Sequence, residues 1–319
     1  MLNPLQRRML RRRLVQTIPV LVLATFSVFM LLKLLPGDVA ITIAGENATV
    51  ERIEEIRESR GLNDPLLVQY GNWVWRALHG DLSQSFLSGE EVGTTLLRVF
   101  PNTLFIVCYA ILISVLIGVP LGMLAAARSG GLIDRLVMML SSAGVALPNF
   151  WIAMIFVMIF ALNRAWFPAT GFVAPSENLA GAIWHATLPA VALAASGIAE
   201  VARQLRSSLV EILHSQHFRT LHAKGLPFGT ILWKHGLRNV SVNLLTVISL
   251  LVNRTLAATV VVEVVFAIPG MGNTIVNATL QRDFPVVQGA VLAMVLTVVT
   301  VNLVTDMLYS VLDPRISQR

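Results

Sequence analysis

Six long apolar runs constrain this chain more than any other feature. They cover residues 14–35, 103–127, 136–163, 183–202, 240–266 and 284–312. Each is long enough for a helix of about 20 residues to cross the ~30 Å hydrocarbon core of a bilayer. Composition agrees: 55% of residues are hydrophobic and 13% charged, against about 25% charged in ordinary globular proteins. Mean hydropathy is +0.71. A soluble fold of 319 residues has too little interior to hide that much apolar surface. A disordered chain, a disulfide scaffold and an ordinary cytosolic enzyme are excluded. The expected class is an all-α membrane protein with six transmembrane helices.

Pro120, Pro148 and Pro189 lie inside the second, third and fourth runs. Lipid offers the carbonyls they free no partner, so these helices are expected to pack in a bundle whose neighbours cover them. Gly118-Val119-Pro120-Leu121-Gly122 has the spacing of a close helix contact, with a kink at Pro120 as the equal alternative. The single cysteine, Cys108, lies inside an apolar run and forms no intrachain disulfide. The first run follows a basic cluster (Arg7, Arg8, Arg11, Arg12, Arg13) that resembles a signal-peptide n-region. Its apolar stretch exceeds a typical signal core, and Lys33-Leu34-Leu35-Pro36-Gly37-Asp38 lacks a small-x-small cleavage site. A retained signal anchor is expected.

Charge orients the bundle. With the N-terminus inside, segments 1–13, 128–135, 203–238 and 313–319 carry 15 basic residues and three acidic ones. The large outside segment 36–99 carries five basic and ten acidic residues. Cytoplasmic loops are rich in Lys and Arg, so both termini are expected in the cytoplasm. The net charge of +6 is thereby explained by topology, without nucleic acid as a partner. In 36–99, Val50, Ile53 and Ile56 share one face of a charged helix. After Asp64-Pro65, expected as N-cap and first helical residue, Leu66, Tyr70, Trp73 and Ala77 define a second, amphipathic helix, with Leu67, Val74 and Leu78 beside them. Trp73 and Trp75 suit a membrane interface. Capping the outer mouth of the bundle is the preferred role over direct substrate contact.

The loop 203–238 is too elaborate for a simple crossing. Ser208 and Glu211 have capping-box spacing, and Leu209, Ile212, Leu213, Phe218 and Leu221 follow as an apolar stripe. Gly225 stands where a left-handed residue ends a helix, with Pro227 just after it. A second short element, 230–239, leads back into the membrane. Two short helices around a glycine corner form a surface for another protein to grip.

That loop reads Arg219-Thr220-Leu221-His222-Ala223-Lys224-Gly225-Leu226, then Lys234-His235-Gly236-Leu237-Arg238-Asn239. It resembles the coupling loop of ABC importer permeases of the dipeptide, oligopeptide and nickel family. The likeness spans nearly the whole chain and keeps its order. It includes Leu34-Leu35-Pro36-Gly37-Asp38, Gly61-Leu62-Asn63-Asp64-Pro65 with Gln69-Tyr70, and Gly80-Asp81-Leu82-Ser83. It continues through Leu147-Pro148-Asn149-Phe150-Trp151, Val262-Glu263-Val264-Val265-Phe266 and Pro269-Gly270-Met271-Gly272. Arg282-Asp283-Phe284-Pro285-Val286-Val287-Gln288-Gly289 and Leu312-Asp313-Pro314-Arg315 complete it. Leu221 departs from the family's usual alanine, and Ser215-Gln216-His217 from a common acidic-acidic-tyrosine run.

The resemblance implies a type I ABC importer permease fold with an extracytoplasmic loop region after the first helix. Its expected segments are a cytoplasmic N-terminus 1–13, first span 14–35, outer loop 36–99, a five-helix core 100–312 containing coupling loop 203–238, and a cytoplasmic tail 313–319. It implies a multi-pass protein of a bacterial or archaeal plasma membrane, carrying short peptides or a similar small solute. The implied partners are a homologous second permease, two cytosolic ATPases, an extracytoplasmic substrate-binding protein and membrane lipid. Residues 219–225 (Arg219, Thr220, Leu221, His222, Ala223, Lys224, Gly225) would form the ATPase-coupling interface. The chain holds no Gly-x-x-x-x-Gly-Lys-Ser/Thr phosphate cradle, so no cofactor is expected in it. ATP and Mg would be bound by the ATPases, and this subunit would be non-catalytic.

Two further readings belong to the residues themselves. His214, His217 and His222 lie close in sequence, but without carboxylate or cysteine spacing they read as solvated loop histidines rather than a metal site. Arg254 and Glu263 lie inside an apolar run, where charge marks function or pairing by default. Arg254 cannot lose its charge, so pairing with an acid is expected ahead of contact with an anionic substrate group. Glu200 and Arg203 have the spacing of an i,i+3 pair. The rival to an ABC permease is a secondary transporter or channel working without an ATPase, which calls for midplane coupling charges and inverted repeats. No repeat is visible, and most intramembrane charges sit near run ends.

With Cys108 replaced, a cysteine at Glu58 is expected to react with an impermeant thiol reagent in intact cells, and one at Ser215 to react only after lysis. The reverse pattern would invert the topology.

Overall fold

A computed structural model describes residues 4–34, 38–45 and 47–312, with side chains at 15–34, 38–45 and 47–309. The side chains of the Arg7–Arg13 cluster, Leu35-Pro36-Gly37, Glu46 and the tail from Asp313 lie outside the described residues.

The described residues are helical, their one extended pairing being an antiparallel bridge between Gln84 and Glu91. The helices are α1 (Pro4–Leu34), α2 (Val39–Ala44), α3 (Val50–Ser59), α4 (Leu66–Leu78), α5 (Val92–Ala127), α6 (Leu132–Ala146) and α7 (Asn149–Phe156). A wider π-helical turn, Val157–Asn163, continues α7. Then come α8 (Leu179–Leu213), α9 (Gln216–Ala223), α10 (Phe228–Thr230), α11 (Leu237–Val265), α12 (Met271–Leu280) and α13 (Phe284–Leu312). A second π turn, Ile231–Gly236, joins α10 to α11. Among the described residues, five stretches are long and apolar enough to cross a membrane: Val15–Leu34, Val92–Ala127, Leu179–Leu213, Phe228–Val265 and Phe284–Tyr309.

The sixth expected span is not a straight helix. It is the pair α6 and α7, bent by 98°. Pro148 supplies no N–H and drives the residue before it out of the helical region. Leu147 accordingly has ψ 130°, and Pro148 caps α7. Pro120 and Pro189 remain inside α5 and α8. Helix α5 begins at Val92, well before the apolar run. The Glu90 carboxylate accepts Thr95 Oγ1 at 2.7 Å and both Arg98 guanidinium nitrogens, bracing the first turn.

The chain divides into two compact units. The first contains Asn102–Ile268 and the chain from Thr300. Its centre is α8, whose Ala182, Ala186, Ala190, Ala192, Ala194 and Ala202 are buried. These short side chains let α5, α6, α7 and α11 approach one helix. The approach is closest at glycines. A Cβ on Gly122 would stand 2.7 Å from the Ala202 carbonyl oxygen, and one on Gly118 3.0 Å from that of Ile198. The Gly118/Gly122 pair is therefore a contact face, and α5 runs on through Pro120.

The second unit contains Arg11–Pro101 and Pro269–Val299. Leu32, Val92, Leu96, Met271, Phe284 and Val287 lie in its core. The buried Asp283 carboxylate accepts Ser85 Oγ and the Phe86 N–H, fastening the 83–91 turn. Asp38 caps α2 through the Ala40 N–H at 2.8 Å and pairs with Arg57 of α3. The Arg57 hydrogen bond holds the Asp38 carboxyl below its ordinary range. Pro65, rather than Asp64, is the residue before α4.

Gly122→Leu is expected to cost about 1–3 kcal/mol by overpacking and to lower the thermal midpoint of the purified protein. Gly71→Ala, with nothing within 4 Å of the added Cβ, should leave it unchanged. Fluorescence-detected gel filtration after heating reads both.

Candidate coupling corner and intramembrane charges

Helix α8 does not stop at the membrane-facing end of its apolar run. It extends to Leu213, so Ser208 and Glu211 lie inside it and form no capping box. Tertiary packing overrides the local signal. Leu205 and Leu209 are buried with Met123 and Ala126 of α5 and with Leu232 and Val240, and Ser208 Oγ accepts Asn243 Nδ2 instead. Arg206 donates through Nε and a terminal nitrogen to Asp134 at 2.9 and 2.6 Å. Asp134 also accepts the Gly130 N–H at 2.8 Å. This brace, unnoticed in sequence, was signalled by a lone acid in a basic loop.

The next helix, α9, starts after Ser215, which has extended backbone and no side-chain capping bond. Its end is a Schellman motif. The Gly225 N–H donates to the His222 carbonyl at 2.9 Å, and the Leu226 N–H to that of Leu221 at 3.4 Å. Gly225 has φ +75°, as its position required. Leu226 then packs against the cluster that contains Leu221, in keeping with the hydrophobic contact that accompanies this motif.

Phe218, Leu221 and Ile231 form a small buried core, with Ile212, Leu213 and Leu226 against it. Leu221 is 8% exposed, so its side chain faces this chain and is not a contact for a partner. It explains a bulky residue where a family alanine was expected: Leu221 fills the corner. Arg219, Thr220, His222, Ala223, Lys224 and Gly225 are exposed. His214 Nδ1 meets the Val210 carbonyl at 2.7 Å, and His222 stacks on Phe228. His217 sits edge-on to Phe218. The expected second element is continuous with the following span, through the π turn Ile231–Gly236.

Deeper in the same unit, Arg254 pairs with Glu200. One terminal nitrogen donates to both carboxylate oxygens, at 2.9 and 2.8 Å. The acid is thus on α8, and Arg203 is not the partner of Glu200. The Glu200 side chain is 18% exposed and that of Arg254 67%. Glu263 is fully buried and accepts Thr103 Oγ1 at 2.6 Å. Sequence reasoning missed a polar seam between α11 and α13. Tyr309 donates to Thr246 at 2.7 Å, Thr305 to Ser249 at 3.1 Å and Asn253 to Asn302 at 3.1 Å. The three pairs recur at helical spacing and in opposite directions along the two helices, as antiparallel spans require.

Comparison with known proteins agrees with this architecture. The family model of the binding-protein-dependent transport system inner membrane component matches residues 118–318, and that of the N-terminal membrane component of such systems matches 6–107. A Brucella abortus protein assigned by name to a peptide transport system as its permease is 37% identical over 305 residues, covering 96% of this chain and 97% of that protein. The oligopeptide transport system permease protein AppB of Bacillus subtilis is 34% identical over 308 residues, covering 96% and 98%. The dipeptide transport system permease protein DppB of Escherichia coli is 33% identical over 332 residues, covering 97% and 98%. The chain belongs to the binding-protein-dependent transport system inner membrane component family. It is the permease component of an ABC importer, as its sequence led one to expect; none of these relatives supports the secondary transporter or channel.

Gly225→Val should strain the corner by about 1–3 kcal/mol through backbone conformation alone, because no atom lies within 4 Å of the added Cβ. Gly225→Asn, which tolerates this conformation, should be milder. Faster tryptic cleavage at Arg219 and Lys224 in the valine variant than in the asparagine variant is the expected readout.

Proposed function

We propose that this chain forms half of the translocation pathway for short peptides, driven by cytosolic ATPases that grip α9. The observation that carries the reading is the division of labour on that helix. Phe218 and Leu221 fix it to the core below, and Arg219, Thr220, His222, Ala223 and Lys224 face outward. A docking surface needs that combination, since its contact groups must be exposed while its geometry stays fixed. The Schellman closure at Gly225 supplies the fixed geometry.

In this reading 1–13, 203–238 and 313–319 lie in the cytoplasm of a bacterial or archaeal cell, 36–99 lies largely outside, and 100–312 holds the five-helix core. The full importer contains a homologous second permease, two ATPases and an extracytoplasmic binding protein that delivers the substrate. ATP and Mg belong to the ATPases, and this subunit performs no covalent chemistry. Closure of the ATPases moves α9 as a body. The buried Phe218–Leu221–Ile231 contact passes that displacement to α8 and α11, and packed helices respond by shifting between discrete arrangements. Relatives named for dipeptide and oligopeptide transport support peptides as the cargo. Arg254, anchored by Glu200 yet largely exposed, is suited to meet an anionic group of a passing peptide.

Arg219→Glu combined with Lys224→Glu reverses charge on two exposed side chains and leaves the corner's core intact. The variant should reach the membrane at normal levels but lose co-purification of the ATPases and peptide uptake. Full association and uptake would remove α9 from coupling. The purified chain alone should hydrolyse no ATP.

A further inference from the structure

We infer that α4, although part of the outer loop, is embedded in the outer leaflet of the bilayer, with its Leu67–Trp75–Leu78 side against lipid acyl chains. The inference is independent of how the ATPases couple.

Depth is the first argument. Tyr70 of α4 packs its ring on Phe26 and Phe29 of α1, with centroids 5.2 and 5.6 Å apart. Its hydroxyl lies 2.9 Å from Thr25 Oγ1 and donates to the Val22 carbonyl at 3.2 Å. The apolar span of α1 ends at Leu34. At ~1.5 Å per residue, Phe29 and Phe26 are about 8 and 12 Å below that end, and Val22 about 18 Å. Lys33 marks the boundary from the other side. Its ammonium group donates to Gln69 Oε1 at 2.7 Å and lies over the Phe29 ring, the posture of a lysine reaching toward the interface. A helix that capped the outer mouth would meet α1 at Lys33 or above. Helix α4 does meet Lys33, through Gln69, but its Tyr70 also reaches a full two turns lower, to Phe26, Thr25 and Val22.

The distribution of side chains around α4 is the second argument. At 100° per residue the helix has three sectors. Tyr70, Trp73 and Ala77 face the protein, and Trp73 is buried. Beside them Leu67, Trp75 and Leu78 are 70, 66 and 76% exposed. The remaining arc holds Asn72 and Arg76, both exposed. An apolar arc and a polar arc flanking a packed face suit a helix at the edge of a bilayer, with one flank in acyl chains and the other toward headgroups and water. Thirteen residues are too few to span; that length suits a buried core helix or an interfacial or re-entrant segment, and the exposed Leu67, Trp75 and Leu78 exclude the buried core helix. Were the apolar arc in water, it would present a large unpartnered patch.

The test is site-directed spin labelling of the complete transporter reconstituted in liposomes, with Cys108 replaced. Single cysteines at Leu67, Trp75, Leu78 and Asn72 carry a nitroxide, and only variants with normal uptake are read. Collisions with oxygen, which concentrates in lipid, are compared with collisions with a water-soluble nickel chelate. The expected result is an oxygen-to-nickel ratio several-fold higher at 67, 75 and 78 than at 72. High nickel access at all four positions would place α4 in water and overturn the inference. Low access to both reagents at 67, 75 and 78 would also overturn it, in favour of a protein partner on that face.

Discussion

Helix α8 can be the centre of its unit because much of the face it offers its neighbours is alanine and glycine. Lipid removes the usual advantage of apolar burial between helices, since acyl tails are as apolar as leucine. What remains is close contact, and close contact needs small residues. Ala182, Ala186, Ala190, Ala192 and Ala194 are buried along α8. Gly197 is crowded by Ser114 of α5 and Leu251 of α11, and Gly144 of α6 approaches the Ala199 side chain to 3.0 Å from an added Cβ. The positions of α5, α6, α7 and α11 follow from these approaches. So does the placement of Glu200, one turn from Gly197, within reach of Arg254.

The same helix gives the proposed coupling its lever. From Leu179 to Leu213 it is unbroken despite Pro189, and 35 residues span about 52 Å. Its membrane end carries the alanine face and its far end the residues that pack under α9. Asp134 clamps it two turns from its far end, through Arg206. A helix braced at several points transmits displacement better than a flexible tether. The interruption is elsewhere, at the 98° bend between α6 and α7, where no backbone hydrogen bond crosses from Pro148 because its nitrogen has no hydrogen.

Much of this was legible in the residues, for reasons that differ by element. The apolar runs announced the spans because solvent alone demands them. Gly225 announced the end of α9 because a positive φ is a local demand met by local chemistry. The bend at Pro148 was not legible, because Pro120 and Pro189 look the same in sequence and stay helical. The outcome depends on what covers the freed carbonyl. Ser208 and Glu211 offered a capping box that Leu205 and Leu209 overrode through contacts with α5 and Val240. Leu221 read as a surface contact because its partner Ile231 is ten residues away, across a corner whose geometry only the fold supplies.

Exposure on the isolated chain then sorts into two kinds that should not be confused. On α4 the exposed side chains outside the polar arc are apolar, and acyl chains are a suitable solvent for them. On α11 the exposed group is the Arg254 guanidinium. A charged arginine at the bilayer centre costs at least ~2.5–3.5 kcal/mol on insertion scales. The Glu200 carboxylate offsets part of that cost, but only one guanidinium nitrogen donates to it, and the side chain is still 67% exposed. Acyl chains cannot satisfy the rest. The exposed guanidinium calls for water or another polar surface, which the proposed pathway shared with a second permease would supply. Two segments of comparable exposure thus point to opposite surroundings, and the chemistry of the exposed groups, not the amount of surface, decides which is which.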